Sequence, residues 1–237
     1  MGTLRLVRHG QASYGAADYD VLSPRGVAQA EALGRSWAAR GLGATAIYSG
    51  PLRRQRDTAA HLIRAAADAG HSLPEAITVD ELAEYPAFEL LARCLPQVIA
   101  ARPELRGVVE GGRVDPALGE RALEAMVDAW SAGTLDIGDL ESFAGFVARV
   151  ERAVDTIVAR HAGKGEVAVV VTSGGPIGVA GRLALGLDAR ATVGLWRLIR
   201  NASVSELLWR QRDGRRELSL LTWNHVDHLE PSLHTYR

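Results

Sequence analysis

Three short stretches of this chain carry residue types suited to chemistry on phosphorus. In Leu4-Arg5-Leu6-Val7-Arg8-His9-Gly10 an apolar run delivers an arginine and a histidine to a polar loop. A guanidinium fork matches phosphate geometry and keeps its charge. An imidazole among such cations can attack phosphorus as a nucleophile. Ser49-Gly50-Pro51-Leu52-Arg53-Arg54-Gln55-Arg56 brings three more arginines, and Thr172-Ser173-Gly174-Gly175-Pro176 brings a glycine turn at a helix start. The backbone N–H groups and the positive end of a helix there favour an anion. Taken singly, each stretch has a plainer reading: a solvated strand end, a solvated helix face, an ordinary turn. Their order, each at the exit of an apolar strand, is what gives them weight.

The elements that must position these groups alternate. Thr3 to Val7 predicts a buried strand. Ser23 suits an N-cap and Pro24 a first helical position, and Val27, Ala30, Leu33, Gly34, Trp37 and Ala38 recur at helical spacing. Ala44 to Tyr48 predicts a second strand, Pro51 to about Ala69 a helix, and Ile77 to Val79 a third strand. Phe143 to Val158 reads as a long amphipathic helix. Val167 to Val171 is a continuous apolar run, so it belongs at the centre of a sheet covered on both faces. Pro176 opens another helix. Ser203 to Trp209 and Glu217 to Trp223 read as a hairpin around Asp213-Gly214. The expected fold is α/β, a three-layer sandwich with a mostly parallel mixed central sheet. In such sheets ligands bind beyond the carboxyl ends of the strands. From Pro86 to about Leu140 the pattern turns helical and glycine-interrupted, with no strands of its own. We read residues 1–237 as a single domain with a helical cap inserted at about 86–140 over the active-site face.

Composition sets bounds. The chain has 237 residues, 47% hydrophobic and 23% charged, with a formal net charge of −1. No global field recruits nucleic acid or an acidic membrane, so neither is expected as a partner. A lone cysteine, Cys94, excludes an intramolecular disulfide and fits a reducing, cytoplasmic setting. No apolar run is long enough to span a bilayer. His225 and His228 stand three apart without a third ligand nearby, so no metal is expected. His61, His71, His161 and His234 read as surface residues.

Together these blocks resemble the histidine phosphatase superfamily, the phosphoglycerate mutase-like family. Arg8-His9-Gly10 is similar to its signature triplet. Leu22-Ser23-Pro24-Arg25-Gly26-Val27-Ala28-Gln29-Ala30 resembles its Leu-Thr-x-x-Gly-x-x-Gln-Ala helix start. Tyr48-Ser49-Gly50-Pro51-Leu52-Arg53-Arg54 resembles its Ser-Ser-x-Leu-x-Arg block, which selects Arg54 over Arg53. Leu82-Ala83-Glu84 resembles the Leu-x-Glu segment that carries the proton donor, and selects Glu84 over its neighbour Glu81. Val169 to Gly175 resembles Val-Val-Ser-His-Gly-Gly, and Asn201-Ala202-Ser203 a late Asn-x-Ser strand start. The resemblance implies a phosphatase acting on a small phosphate monoester without a cofactor. His9 would form a phosphohistidine, Arg8 and Arg54 would hold the phosphoryl oxygens, and Glu84 would protonate the leaving group and then activate water. Ser173 and Gly174 would complete the phosphate-binding site.

One position breaks the pattern. Where the family has a second histidine, this chain has Ser173, a neutral hydroxyl in place of a group that can carry charge. Losing one such donor costs on the order of 10²–10³ in rate. Three readings stay open: an active phosphatase with a weaker pocket, a phospholigand-binding pseudophosphatase, or a different histidine filling the gap. Under the first, Ser173→His raises turnover. The pattern disfavours Ser173 as a hydrolase nucleophile, since Val171 stands where a nucleophile elbow needs glycine. Mutase activity is the weaker alternative, because Gln11-Ala12-Ser13-Tyr14-Gly15 and Tyr85-Pro86-Ala87-Phe88 depart from the mutase loops. Arg93, Arg102, Arg106 and Arg113 in the cap could meet extra phosphates, though scattered arginines are usually solvated.

Overall fold

The computed structural model describes residues 1–13, 20–110, 113–161, 163–212 and 215–236. Its centre is a six-stranded sheet in the order β3-β2-β6-β1-β7-β8. The strands are β1 (Gly2–Arg8), β2 (Ala46–Ser49), β3 (Ala76–Thr78), β6 (Val167–Thr172), β7 (Val204–Arg212) and β8 (Arg215–His225). The first four of that order run parallel, and β7 and β8 complete the sheet antiparallel. The sheet is therefore mixed and mostly parallel. The Asp213-Gly214 turn lies outside the described residues.

Register places the chemistry. Arg8 pairs with Thr172 and Ser49 with Val171. The three glycine-bearing exits consequently leave the sheet side by side at one edge. The antiparallel β7 begins opposite Val7, so the 201–203 loop reaches the same edge.

Alternation along the strands divides the core into two layers. Leu4, Leu6, Ala168 and Val170 face one cluster, and Val7, Val169 and Val171 face the other. On the second side lie α1 (Pro24–Ala39) and α2 (Arg53–Asp68), which bring Leu33, Trp37 and Leu62. Ser23 does cap α1, accepting from Gly26 N at 3.1 Å. On the first side lie α5 (Phe143–Arg160) and α6 (Gly174–Leu185), the latter beginning two residues before the expected Pro176. A further helix, α7 (Ala189–Arg197), was not foreseen. It is short, buries Thr192, Val193 and Trp196 on one face and starts at an Asp188 N-cap that accepts from Ala191 N, so its period and its cap were present in the sequence and were not taken up.

The 86–140 region holds α3 (Ala87–Ala101), α4 (Pro116–Ser131) and, contrary to expectation, a small hairpin of β4 (Val109–Glu110) and β5 (Arg113–Val114). Two-residue strands are too short for an alternating pattern to show in sequence. Leu90, Val98, Met126 and Trp130 join the same apolar cluster as α5 and α6. Among the described residues no helix is long and apolar enough to cross a membrane.

Candidate active site

His9 follows β1 directly and is pinned through its main chain. Its N–H donates to Thr172 O at 2.8 Å, and its carbonyl accepts from Asn201 Nδ2 at 3.1 Å and Ala202 N at 3.3 Å. The imidazole is buried, at 4% exposure. Its Nδ1 lies 2.7 Å from Gly10 O. A carbonyl only accepts, so Nδ1 carries the proton and Nε2 keeps its lone pair. That lone pair receives Arg54 Nε at 3.2 Å. Burial, then Arg54 and then Arg8, hold the imidazole pKa well below its ordinary value. At neutral pH His9 is an uncharged base with a fixed tautomer.

Arg54 is buried in the first turn of α2, while Arg53 and Arg56 are exposed. Asp20 receives Arg54 Nη1 at 2.6 Å and Arg53 N at 2.7 Å, an anion at a helix start. Thr58, one turn on, accepts from Gly10 N at 2.9 Å and donates to Arg54 O at 2.7 Å, so the loop after His9 is tied to α2. Arg8 is half-buried, and its Nη1 donates to the carbonyls of Ile199 and Tyr236. The C-terminal segment thereby reaches the site. Thr235 O accepts from Asn201 N at 2.9 Å, and Thr235 Oγ1 donates to Asn201 Oδ1 at 2.9 Å.

Glu84 approaches from the loop after the 3₁₀ turn Asp80–Leu82. Its Oε2 accepts from Gly175 N at 3.1 Å and its Oε1 from Tyr85 N at 3.2 Å. The approach demands glycine: a Cβ at position 175 meets Glu84 Oε1 at 2.1 Å. Burial raises the Glu84 pKa, and the Gly175 N–H, Arg54, the Tyr85 N–H and Arg8 oppose that rise. Both arginines act on His9 and on Glu84, so the four groups share one electrostatic neighbourhood. Glu81 is exposed. Arg149 on α5 fastens this loop. Its Nη1 donates to Glu81 O at 2.7 Å and Ala83 O at 3.0 Å, while Nε and Nη2 clamp the Glu141 carboxylate at 2.8 and 2.7 Å. Tyr85 stacks between Trp130 and Trp196, with ring centroids 5.0 and 5.7 Å away.

Ser173 is 1% exposed and accepts from Gln55 Nε2 at 2.8 Å. The Gly175 N–H, expected to face a phosphate, is spent on Glu84, which narrows what the glycine turn can offer an anion. Gly174 is buried at the start of α6. The described histidines outside the site have other partners or none in it. His161, expected at the surface, is buried with Nε2 2.9 Å from Tyr48 Oη and Nδ1 2.7 Å from Glu166 Oε2. A helix C-terminus gave it a surface reading, but a tyrosine beneath and a carboxylate beside it satisfy both ring nitrogens. His225 pairs with Asp227 at 3.3 Å, and burial lowers the His228 pKa to about 4. Val226 and Leu229 close over Ala202, so the segment after β8 is packed and not a bare tail. Among the described residues no group of three or more His, Cys, Asp and Glu is gathered as a metal site. Arg93, Arg102 and Arg106 are exposed, and the side chain of Arg113 lies outside what the structure describes.

Sequence reasoning assigned no role to Asp20, Gln55, Thr58, Arg149 or Asn201. Gln55 and Asn201 stood inside quoted blocks, and a polar residue on an apolar helix face was the available signal for Gln55 and Thr58. Asp20 and Arg149 carry no local signal, because they act on partners far along the chain.

The model of the histidine phosphatase superfamily (branch 1) matches residues 4–104 and 89–224. No curated protein matches the chain. Among solved structures, mycobacterial glucosyl-3-phosphoglycerate phosphatase is similar at 24% identity, over 94% of this chain and 98% of that one, with a TM-score of 0.62. Phosphoserine phosphatase from Entamoeba histolytica aligns at 18% identity over 97% and 100%, TM-score 0.65. Phosphoglycerate mutase from Bacillus anthracis aligns at 18% over 95% and 94%, TM-score 0.60. At these identities the likeness is one of fold, but the family match spans nearly all of the sequence, and the chain belongs to the histidine phosphatase superfamily (branch 1).

Proposed function

We propose that this protein is a phosphoric monoester hydrolase that works through a phosphohistidine on His9. The observation that carries the reading is the tautomer of His9. Gly10 O holds the proton on Nδ1, leaving the Nε2 lone pair beside the Arg54 guanidinium. A buried, neutral, oriented imidazole next to permanent positive charge is a nucleophile awaiting an anionic electrophile.

The steps balance without further groups. His9 Nε2 forms a bond to phosphorus as the ester P–O bond breaks. Protonated Glu84, its pKa raised by burial, gives its proton to the departing oxygen. Water then attacks phosphorus as the P–Nε2 bond breaks and returns its electron pair to His9, passing a proton to the Glu84 carboxylate, which releases phosphate and restores both residues. Arg8 and Arg54 stabilise the charge on the phosphoryl oxygens, and Ser173 with Gly174 lines the same site. The substrate is a small phosphate monoester, the cap over 86–140 borders the pocket, and the setting is the cytoplasm, as the lone buried Cys94 allows.

Turnover of an aryl phosphate between about pH 5 and 8 tests this against His9→Ala. The wild type is expected to turn over and the variant not, with an acid-labile, base-stable label on His9 after a rapid alkaline quench. Equal rates for the two proteins sink the hydrolase reading. A phospholigand-binding role without turnover is the second reading, favoured by the neutral Ser173. It gains if wild type binds inorganic phosphate yet shows no His9-dependent rate.

A further inference from the structure

Ser173 sits at the N-cap of α6, yet its side chain does not cap the helix. A serine there ordinarily accepts from the second or third helical N–H. Here the second, Gly175, donates to Glu84, and the third position is Pro176, which has no N–H. The hydroxyl turns instead to Gln55, one residue after Arg54 and fully buried.

The Gln55 carboxamide has one orientation. Oε1 accepts from Leu52 N at 3.1 Å, so the NH₂ group faces oxygens: Ser173 Oγ at 2.8 Å, Thr172 Oγ1 at 3.3 Å and Leu82 O at 3.4 Å. Thr172 Oγ1 in turn donates to Leu82 O at 2.7 Å. The space is built for this side chain. A Cβ on Gly50 meets Gln55 Oε1 at 2.1 Å. Ser173 Oγ accepts from Gln55, and among the described residues no protein acceptor takes the Ser173 hydroxyl proton.

We propose that Gln55 and Ser173 are one coupled unit at the phosphate site: Gln55 is a positioning residue that fills the volume beside Ser173 and fixes its hydroxyl as an acceptor, leaving the Ser173 proton to donate to a phosphoryl oxygen. The inference rests on the reading of this site as a phosphate site. It reverses the expectation from sequence that Ser173→His raises turnover. An imidazole at 173 meets the Gln55 carboxamide in a region that is nearly fully buried, and overpacking such a region is destabilising.

The experiment is a double-mutant cycle of Gln55→Ala, Ser173→His and the pair, read by melting temperature, calorimetric affinity for inorganic phosphate, and kcat and KM on an aryl phosphate. Ser173→His alone is expected to lower the melting temperature by several degrees, about what overpacking brings in a chain of this size, and to weaken phosphate binding. The pair is expected to recover both beyond the sum of the single changes. Additive effects overturn the proposal, as does a Ser173→His protein with unchanged melting temperature and higher kcat. Gln55→Met keeps the length and the neutrality of the side chain but removes the NH₂ donor. It decides the matter if Ser173→His does not fold: phosphate affinity falls about fivefold or more if Gln55 orients Ser173, and unchanged affinity overturns the proposal. Coupling in phosphate affinity with no turnover by any protein sinks the hydrolase reading and leaves the coupled unit standing.

Discussion

The backbone at His9 is held by main-chain bonds to Thr172 and Ala202 and by the Asn201 side chain, whereas the loop that carries Glu84 is held on either side of it by the Arg149 side chain on Ala83 O and by the stacked rings around Tyr85. The first arrangement is set by sheet register: once β1 pairs with β6 and β7, His9 has nowhere else to go. The second depends on Arg149 reaching back 66 residues to Ala83 O and on Tyr85 seating between Trp130 and Trp196. The half proposed as the nucleophile thus inherits the stiffness of the sheet. The half proposed as the acid has main-chain donors on its carboxylate, but the loop that presents it is anchored by side chains, each of which one substitution can remove.

That contrast is best broken at Glu84 itself. Glu84→Gln is expected to lower kcat on an alkyl phosphate by about 10²–10⁴, the usual reach of general acid catalysis, and much less on an aryl phosphate whose leaving group needs no proton. The pH profile supplies a second sign. The acid must be protonated, so the rate falls as pH rises through the raised pKa of Glu84. The nucleophile must be neutral, so the rate falls as pH drops through the lowered pKa of His9, and that limb lies below the ordinary imidazole range. Glu84→Gln should erase the alkaline limb and keep the acidic one. Comparing the two proteins on one substrate cancels the substrate's own titration. An alkaline limb that survives assigns the acid elsewhere.

Arg149→Ala sharpens the same comparison from one remove. Losing the anchor of the 81–83 carbonyls misplaces Glu84, and a misplacement of about 1 Å costs on the order of 10²-fold. The loss should again be larger for alkyl than for aryl phosphates, with Arg149→Lys in between, because lysine cannot clamp Glu141 with two N–H groups at once. Equal losses on both substrate types would make Arg149 a contributor to folding and not a holder of the acid.

The same contrast explains what the sequence could disclose. The sheet-borne half was legible because a strand exit is a local pattern: apolar residues, then Arg8, His9 and Gly10. Ser173 follows the same grammar, whereas Arg54 was separated from Arg53 and Arg56 by the family resemblance alone. What pairs with them was not legible, since the Gln55–Ser173 contact joins residues 118 apart and depends on a register only the folded sheet defines. Arg149 and Asp20 are ordinary surface charges by composition. His161 read as a surface residue because the pattern around it is a helix end, and nothing local announces that Tyr48 lies beneath it. The β4–β5 hairpin was missed because its strands are too short for periodicity to emerge, whereas α7 does carry an Asp188 cap and a one-sided apolar face and was simply passed over.

Asn201 tests the stiffness of the sheet-borne half. Asn201→Ala removes one of the two bonds to His9 O and leaves the Ala202 N–H in place. The expected loss is about 1 kcal/mol of stability and a few-fold in kcat, alike for alkyl and aryl phosphates because the nucleophile serves both. A leaving-group-dependent loss would mean that the two halves are not separately held.

The smallest effect on activity is expected at Tyr48, directly before Ser49 on β2. Tyr48→Phe removes the hydroxyl that faces His161 Nε2 and leaves a buried nitrogen without its partner. Such a group costs about 1–3 kcal/mol, which denaturant unfolding can resolve. His161 is turned away from the catalytic edge, with its other nitrogen on Glu166, so kcat should stay within a factor of about two, well below what a lost transition-state contact brings. A fall in kcat to match the fall in stability would carry a different lesson. It would mean that the seating of β2 sets the angle at which α2 presents Arg54, and that the sheet-borne half is less rigid than its main-chain bonds suggest.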